Sequence, residues 1–403
     1  MFKIKLTFSG DIMLNNSTIN LYKTENEKYN FDTMFEGAKD FLKQADLAVG
    51  NLETPITKNK NEIKYKPYSF TSPIEFAEAV KNAGFNFVTT ANNHCLDNGI
   101  DGIKKTIDAL DEIKIDNTGI SYGEDKIKLV EINGFKIAIL SYTYGTNAFN
   151  NNVYLDKKDK NVKVNLFQNQ ELSNRFIRML YNSNNVIAKI IKKIFRLLGL
   201  FQFRKMKYER IEKSNKHKKE IIQKIQECKK SGADYTIMCM HEGGQYNMEP
   251  IKKAEKTARF LVKNGIDLVV GNHEHVVQCT RFYKDKLVAF SLGNFIGTAG
   301  TIEEPFDKMS EYSILLNIYL SKEKEKISIN DYTFTILKSI KDERKDGTSV
   351  KVKLLYDLIQ NCKNVSEKQK LLLDNKKIVK IVTGKNIDIN DVKKEYKISK
   401  SVE

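Results

Sequence analysis

Short apolar runs rich in β-branched residues recur along this chain, and each closes in a cluster of polar side chains. Ile4–Phe8 runs into Ser9-Gly10-Asp11, Ala45–Val49 into Gly50-Asn51-Leu52-Glu53, and Phe85–Thr90 into Asn92-Asn93-His94-Cys95-Leu96-Asp97. Later, a run opening at Asp234 ends in His241-Glu242-Gly243-Gly244-Gln245, and Asp267–Val270 ends in Gly271-Asn272-His273-Glu274-His275, followed by Ser291-Leu292-Gly293-Asn294-Phe295. Apolar runs of this length with polar closures read as buried parallel strands that carry functional side chains to the carboxyl edge of a sheet. Between them the spacing turns helical: Phe31–Gln44 with Asp32 as N-cap, Ser72-Pro73 to about Asn82 with a stop at Gly84, and Gly99 to about Ile113. Further helices are predicted at Lys218–Lys230, capped by Gly232, and at about Glu249–Asn264, ending at Gly265. Strand–helix alternation of this kind predicts an α/β sheet. Leu129–Ile132 and Lys136–Tyr142 flank Asn133-Gly134, the signature of a hairpin with a type I′ turn. Two amphipathic strands, Tyr312–Leu320 and Ile327–Leu337, precede a Lys-rich, mostly helical tail, and no internal repeat is visible.

Composition narrows the class. The 403 residues are 41% hydrophobic, enough for a large core, with no apolar run of the roughly eighteen residues a membrane span needs. The chain enters a strand almost at its first residue, which points to no signal peptide and a cytoplasmic protein. Five cysteines without a C-x-x-C pair are expected to be free buried thiols. The net charge of +16 is local: residues 175–219 hold fourteen Lys and Arg against Glu209 and Glu212, leaving the rest of the chain nearly balanced. This basicity sits in an Asn/Lys-rich insert, about 148–216, that interrupts the α/β pattern. Inside it, Ile187, Ile190, Ile191, Ile194, Leu197, Leu198 and Phe201 share one side of a helix, with Lys189, Lys192, Lys193 and Arg196 on the other. Such a helix fits an anionic membrane surface, a lid packed on the domain, or a guide for a polyanionic substrate. Nucleic acid is disfavoured, because no stacking aromatics alternate with the cations.

The candidate chemistry lies at the strand ends. Of five histidines, His241, His273 and His275 cluster in one stretch and His94 closes another strand, leaving only His217 elsewhere. Imidazole is the commonest protein ligand for a transition metal. A pair of divalent ions needs a bridging carboxylate, neutral donors around it and open positions for water. Glu53 can bridge, Asp11 and His275 can hold one ion, and Asn93, His241 and His273 the other, while His94 is free to protonate a leaving group. The chain has no G-x-x-x-x-G-K-[ST] and no G-x-G-x-x-G, which excludes the common NTPase and nicotinamide templates.

Gly10-Asp11-Ile12-Met13, Gly50-Asn51-Leu52-Glu53, Asn92-Asn93-His94, His241-x-Gly243, Gly271-x-His273-x-His275-Val276 and Ser291-Leu292-Gly293-Asn294-Phe295 together resemble the successive motifs of the CapA family. These are poly-γ-glutamate capsule biosynthesis proteins, a branch of the calcineurin-like metallophosphoesterases. The resemblance is colinear over roughly Met1–Ala299 apart from the insert. It implies a four-layer α/β/β/α sandwich over residues 1–320, with the basic insert and a 321–403 extension of strand and Lys-rich helix. It also implies two divalent ions, whether Mn, Fe, Zn, Mg or Ca, held by Asp11, Glu53, Asn93, His241, His273 and His275. His94 and Asp11 would be catalytic, and Asn51, Asn92, Asp97, Glu242, Gln245 and Asn294 would meet substrate. The implied function is a metal-dependent hydrolase in capsule, poly-γ-glutamate or surface-polymer synthesis. The alternatives are a non-catalytic subunit docked on capsule synthase partners at the membrane, and a metal-dependent peptide epimerase. Two departures stand out: Gln245 where the family often has Glu, and Glu274 where it often has Pro.

Overall fold

The computed structural model describes residues 2–14, 19–24, 28–63, 69–124, 127–155, 159, 161–170, 179–180, 183–198, 201–203, 208–210, 216–297, 309–324, 326–344 and 347–400. Two sheets face each other. In the first, β1 (Phe2–Ile12), β2 (Leu47–Leu52), β3 (Phe87–Thr89) and β4 (Asp116–Thr118) lie side by side and parallel. Their crossovers run through α1 (Glu36–Leu42), α2 (Ile74–Asn82) and α3 (Gly99–Glu112). The second sheet starts with the hairpin β5 (Lys128–Ile132) and β6 (Phe135–Thr143). Asn133 and Gly134 take φ of 47° and 80°, the pair of positive values that a type I′ turn requires. Parallel to β6 run β7 (Tyr235–His241) and β8 (Leu268–Asn272); the edge strand β9 (Thr280–Tyr283) is antiparallel to β10 (Lys286–Ala289), which lies parallel to β8 between the two. The chain then returns to the first sheet. β11 (Asn294–Ile296) pairs parallel to the end of β1, and β12 (Tyr312–Glu323), β13 (Lys326–Arg344) and β14 (Gly347–Leu354) extend it antiparallel, with β15 (Tyr396–Ile398) on β13.

Alternation decides the layers. Leu6, Phe8 and Val49 point inward and meet Ile137, Ile139, Ile237 and Val270 in one core between the sheets. Ala48, Leu52 and Val88 point outward under Phe41, Phe76 and Leu110 of the first-sheet helices. On the far side, Met238, Met240 and Val269 pack under two further helices through Ile221, Ile225, Ala258 and Leu261. Helices thus cover the outer face of each sheet, and the inner faces share one core.

Several expectations need correction. Phe31–Gln44 is a 3-10 turn at Asp32–Met34 followed by a short α1, and Phe35, not Asp32, precedes that helix, with no side-chain cap. β12 and β13 are longer than predicted, and β12 is buried along almost its whole length rather than alternating. Its residues enter both cores, Ile314, Leu316 and Ile318 one and Leu315 the other, so both faces are covered. Residue 320 falls inside β12, and the helices Leu355–Asn361 and Val365–Thr383 place Leu355, Ile359, Ile378 and Val382 in the inter-sheet core. The tail is thus woven into the same sandwich. All five cysteines are free, but only Cys95, Cys228 and Cys239 are buried, Cys279 and Cys362 being partly exposed; burial pushes the Cys239 thiol up to about 12 and Cys228 to about 11.

Candidate metal centre

Glycines allow the strand ends to converge. A Cβ on Gly10 would lie 1.8 Å from the carbonyl oxygen of Gly293, and one on Gly271 would lie 1.9 Å from that of Phe290. With no side chains there, β1 meets β11, and β8 meets the segment after β10, at backbone contact. The next residues, Asp11, His273 and His275, then share one buried space with Glu53 from the end of β2 and His241 from the end of β7. His273 and His275 reach it through left-handed backbone, φ 110° and 60°. Such conformations in non-glycine residues cost roughly 1–3 kcal/mol each and persist where surrounding contacts hold them.

Two donor sets share one carboxylate. Glu53, His241 and His273 bring ligand atoms within 4.8 Å of one another, and so do Asp11, Glu53 and His275. Asp11 and Glu53 are both 0% exposed. Neither Glu53 oxygen has a hydrogen bond of ordinary geometry, although His241 Nε2 lies 3.4 Å and His94 Nε2 4.0 Å from Oε1. Burial, then the charge of Asp11, pushes the Glu53 carboxyl well above its usual range. For His275, burial disfavours the charged ring. The Asp11 hydrogen bond and the charges of Glu53 and Asp11 outweigh it and lift the imidazole to about 9. Asp11 goes the other way: burial would raise it, but His275 at 3.1 Å holds it below the ordinary carboxylate value. A buried carboxylate with no cation or donor is costly. This Asp/Glu/His set, with Glu53 aimed into its middle, is compatible with divalent metal.

Around these groups lies a hydrogen-bonded second row. Asn51 Nδ2 donates to Asp11 Oδ1 at 2.7 Å, and Asn294 Oδ1 sits 2.8 Å from His275 Nδ1. Asn92 donates to Leu52 O at 2.8 Å and to Asn51 at 3.3 Å. Asn93 Oδ1 lies 2.6 Å from His241 Nε2. Asp97 Oδ2 lies 2.6 Å from His94 Nδ1 and accepts from the Phe70 amide, while Asn151 donates to Oδ1. Glu242 is buried against Lys253, 2.8 Å from its ammonium. Asn51, Asn92, Asp97 and Asn294, expected to meet substrate, are buried and hydrogen-bonded to neighbours of the site. Glu242, from the same expectation, is buried beside Lys253, and Gln245 is exposed, 3.5 Å from His275 Nε2.

Sequence reading missed three aromatic neighbours and gave Glu274 no place at the site. The rings of Phe70 and Tyr144 lie 4.4 Å and 4.7 Å from His94 and His273, and Tyr246 lies 5.8 Å from His275. Tyr144 follows β6 directly and could have been read as another strand end; Phe70 comes from a loop with no such signal. Glu274 is fully buried over Gly243, and burial, followed by the charges of Asp11 and Glu242, pushes its carboxyl well up.

The family model described as bacterial capsule synthesis protein PGA_cap matches residues 5–299, and the chain belongs to that family. Among its relatives, the capsule biosynthesis protein CapA of Bacillus anthracis is 25% identical over 385 residues, covering 91% of this chain and 80% of that protein. The PGA biosynthesis protein CapA of Bacillus subtilis is 24% identical over 353 residues, covering 86% and 77%. Among solved structures, the calcineurin-like phosphoesterase YfkN from Bacillus subtilis aligns with a TM-score of 0.37 and 12% identity, over 83% of this chain and 90% of that one.

Proposed function

We propose that this protein is a metal-dependent hydrolase-like enzyme of capsule or surface-polymer synthesis, acting on a phosphoryl-bearing or otherwise anionic group. The observation that carries the catalytic side is Glu53, a fully buried carboxylate without an ordinary hydrogen bond, shared by two acid–histidine donor sets. Support for the capsule side comes from family membership and from relatives whose names carry capsule and PGA biosynthesis. Asp11 and His275 would hold one ion and Asn93, His241 and His273 the other, with Glu53 between them. Two divalent ions supply Lewis acidity and hydroxide at neutral pH.

The remaining work falls to side chains. Asp97 accepts from Nδ1 of His94 and fixes the ring with Nε2 towards Glu53. A His94 ring protonated on Nε2 can pass that proton to the leaving oxygen, while Asp97 keeps Nδ1 protonated. Asn51 and Asn294 orient Asp11 and His275, and exposed Gln245 presents a neutral amide to the substrate. The test is steady-state hydrolysis of a nitrophenyl phosphodiester by protein loaded in turn with Mn, Fe, Zn, Mg and Ca. His94→Asn is expected to lower kcat roughly 100-fold or more while leaving metal content unchanged. Absence of turnover by wild-type protein with every metal would sink the hydrolase reading.

A further inference from the structure

The helix Val186–Leu197 turns a bulky aliphatic face to solvent. Ala188 is buried and Ile191, Lys192 and Phe195 are half-buried, so positions at helical spacing form its covered side; the helix lies against the strand Phe201–Phe203, and Lys192 Nζ bonds Ser183 O at 2.9 Å. The adjacent arc, about 120° wide at 100° per residue, carries Val186, Ile187, Ile190, Ile194, Leu197 and Leu198. These are 46–75% exposed. Sequence spacing placed Ile187, Ile190, Ile191 and Ile194 on one apolar side, and the structure uses only the edge of that side for packing. The side chains of Arg196 and Phe201, expected to belong to the same helix pattern, lie outside the described residues. Lys189 and Lys193 are exposed along one border of the aliphatic arc, and the helix contains no acidic residue.

We propose that this face docks on the surface of an anionic lipid bilayer. Six large aliphatic side chains in one exposed arc would bury their methyl groups at the headgroup–acyl boundary, and a lysine border meets lipid phosphates while its stems stay in the apolar layer. Charge of one sign, uncompensated within the helix, matches the negative leaflet. Among the described residues no helix is long and apolar enough to cross a membrane, so the contact is with the surface. The proposal is independent of the metal centre.

The experiment is co-sedimentation of the full chain with phosphatidylcholine vesicles, with and without phosphatidylserine, at low and high salt. Binding is expected to vesicles containing phosphatidylserine, to fall with salt, and to be weak on phosphatidylcholine alone. Lys189→Gln with Lys193→Gln should weaken it roughly 25-fold, as two cations near such a surface imply, and Ile190→Asp with Ile194→Asp should abolish it. Circular dichroism melts confirm that these exposed substitutions leave the fold intact. No binding to anionic vesicles overturns the proposal. So does binding that survives Ile190→Asp with Ile194→Asp. A wild-type oligomer that the same double variant dissolves, with no vesicle binding, would assign the face to a second copy of the chain instead.

Discussion

With its oxygens buried beside Asp11, Glu53 makes the metal-free site electrostatically uneasy, and His275 reports the same tension from the cationic side. Each folded-state value is raised, so each contributes stability that is present at low pH and lost as pH rises. For His275 the window runs from the ordinary 6.5 to about 9. Metal-free protein should therefore melt at steadily lower temperature across that window, at up to about 1.4 kcal/mol per pH unit from His275. His275→Ala should flatten the decline, and chelator-treated melts at stepped pH check it. A metal-free protein whose stability is constant or rises over the window would contradict the charge arrangement. At this scale the histidines were legible because each follows an apolar run directly. The contacts of the asparagines were not legible: Asn51 and Asn92 stand in the same motifs as the candidate ligands, and only the fold shows that Asp11 and Leu52 accept from their amides.

Strand ends can converge only where backbone touches backbone. Gly271→Ala would place a methyl 1.9 Å from the Phe290 carbonyl oxygen, with Ala289 O at 3.0 Å, and neither belongs to a side chain that can rotate away. The expected cost is about 3 kcal/mol or more in urea unfolding, from overpacking against backbone, together with loss of bound metal as β8 shifts. Near-wild-type stability would show that the two segments are less tightly apposed than described. Elements with a strong local signature were readable in advance. The Asn133-Gly134 hairpin is one, since its turn needs positive φ at both positions. The two long strands β12 and β13 were only half readable, because their burial on both faces depends on neighbours far along the chain. Asn151 touching Asp97 is equally invisible locally: the insert supplies a contact to the residue that orients His94.

At the scale of the whole molecule, a sandwich of two sheets brings six distant stretches to one edge, and most of the net charge belongs by sequence to one basic insert. The α/β class could be anticipated from strand–helix alternation, whereas the packing of the tail could not. Its Lys-rich composition reads as an appendage, yet Leu355, Ile359 and Ile378 are apolar at the spacing that packs them between the sheets. The central claim is that Glu53 joins two acid–histidine sets into one divalent-metal centre. The most direct test is metal content per chain by elemental analysis, after supplementation and removal of free ions, for wild type, Glu53→Gln and His273→Ala. The account predicts close to two divalent ions per wild-type chain, loss of both in Glu53→Gln because the bridge is gone, and loss of at least one in His273→Ala. Wild-type protein that retains no divalent ion, or a Glu53→Gln variant that keeps the wild-type complement, would contradict it.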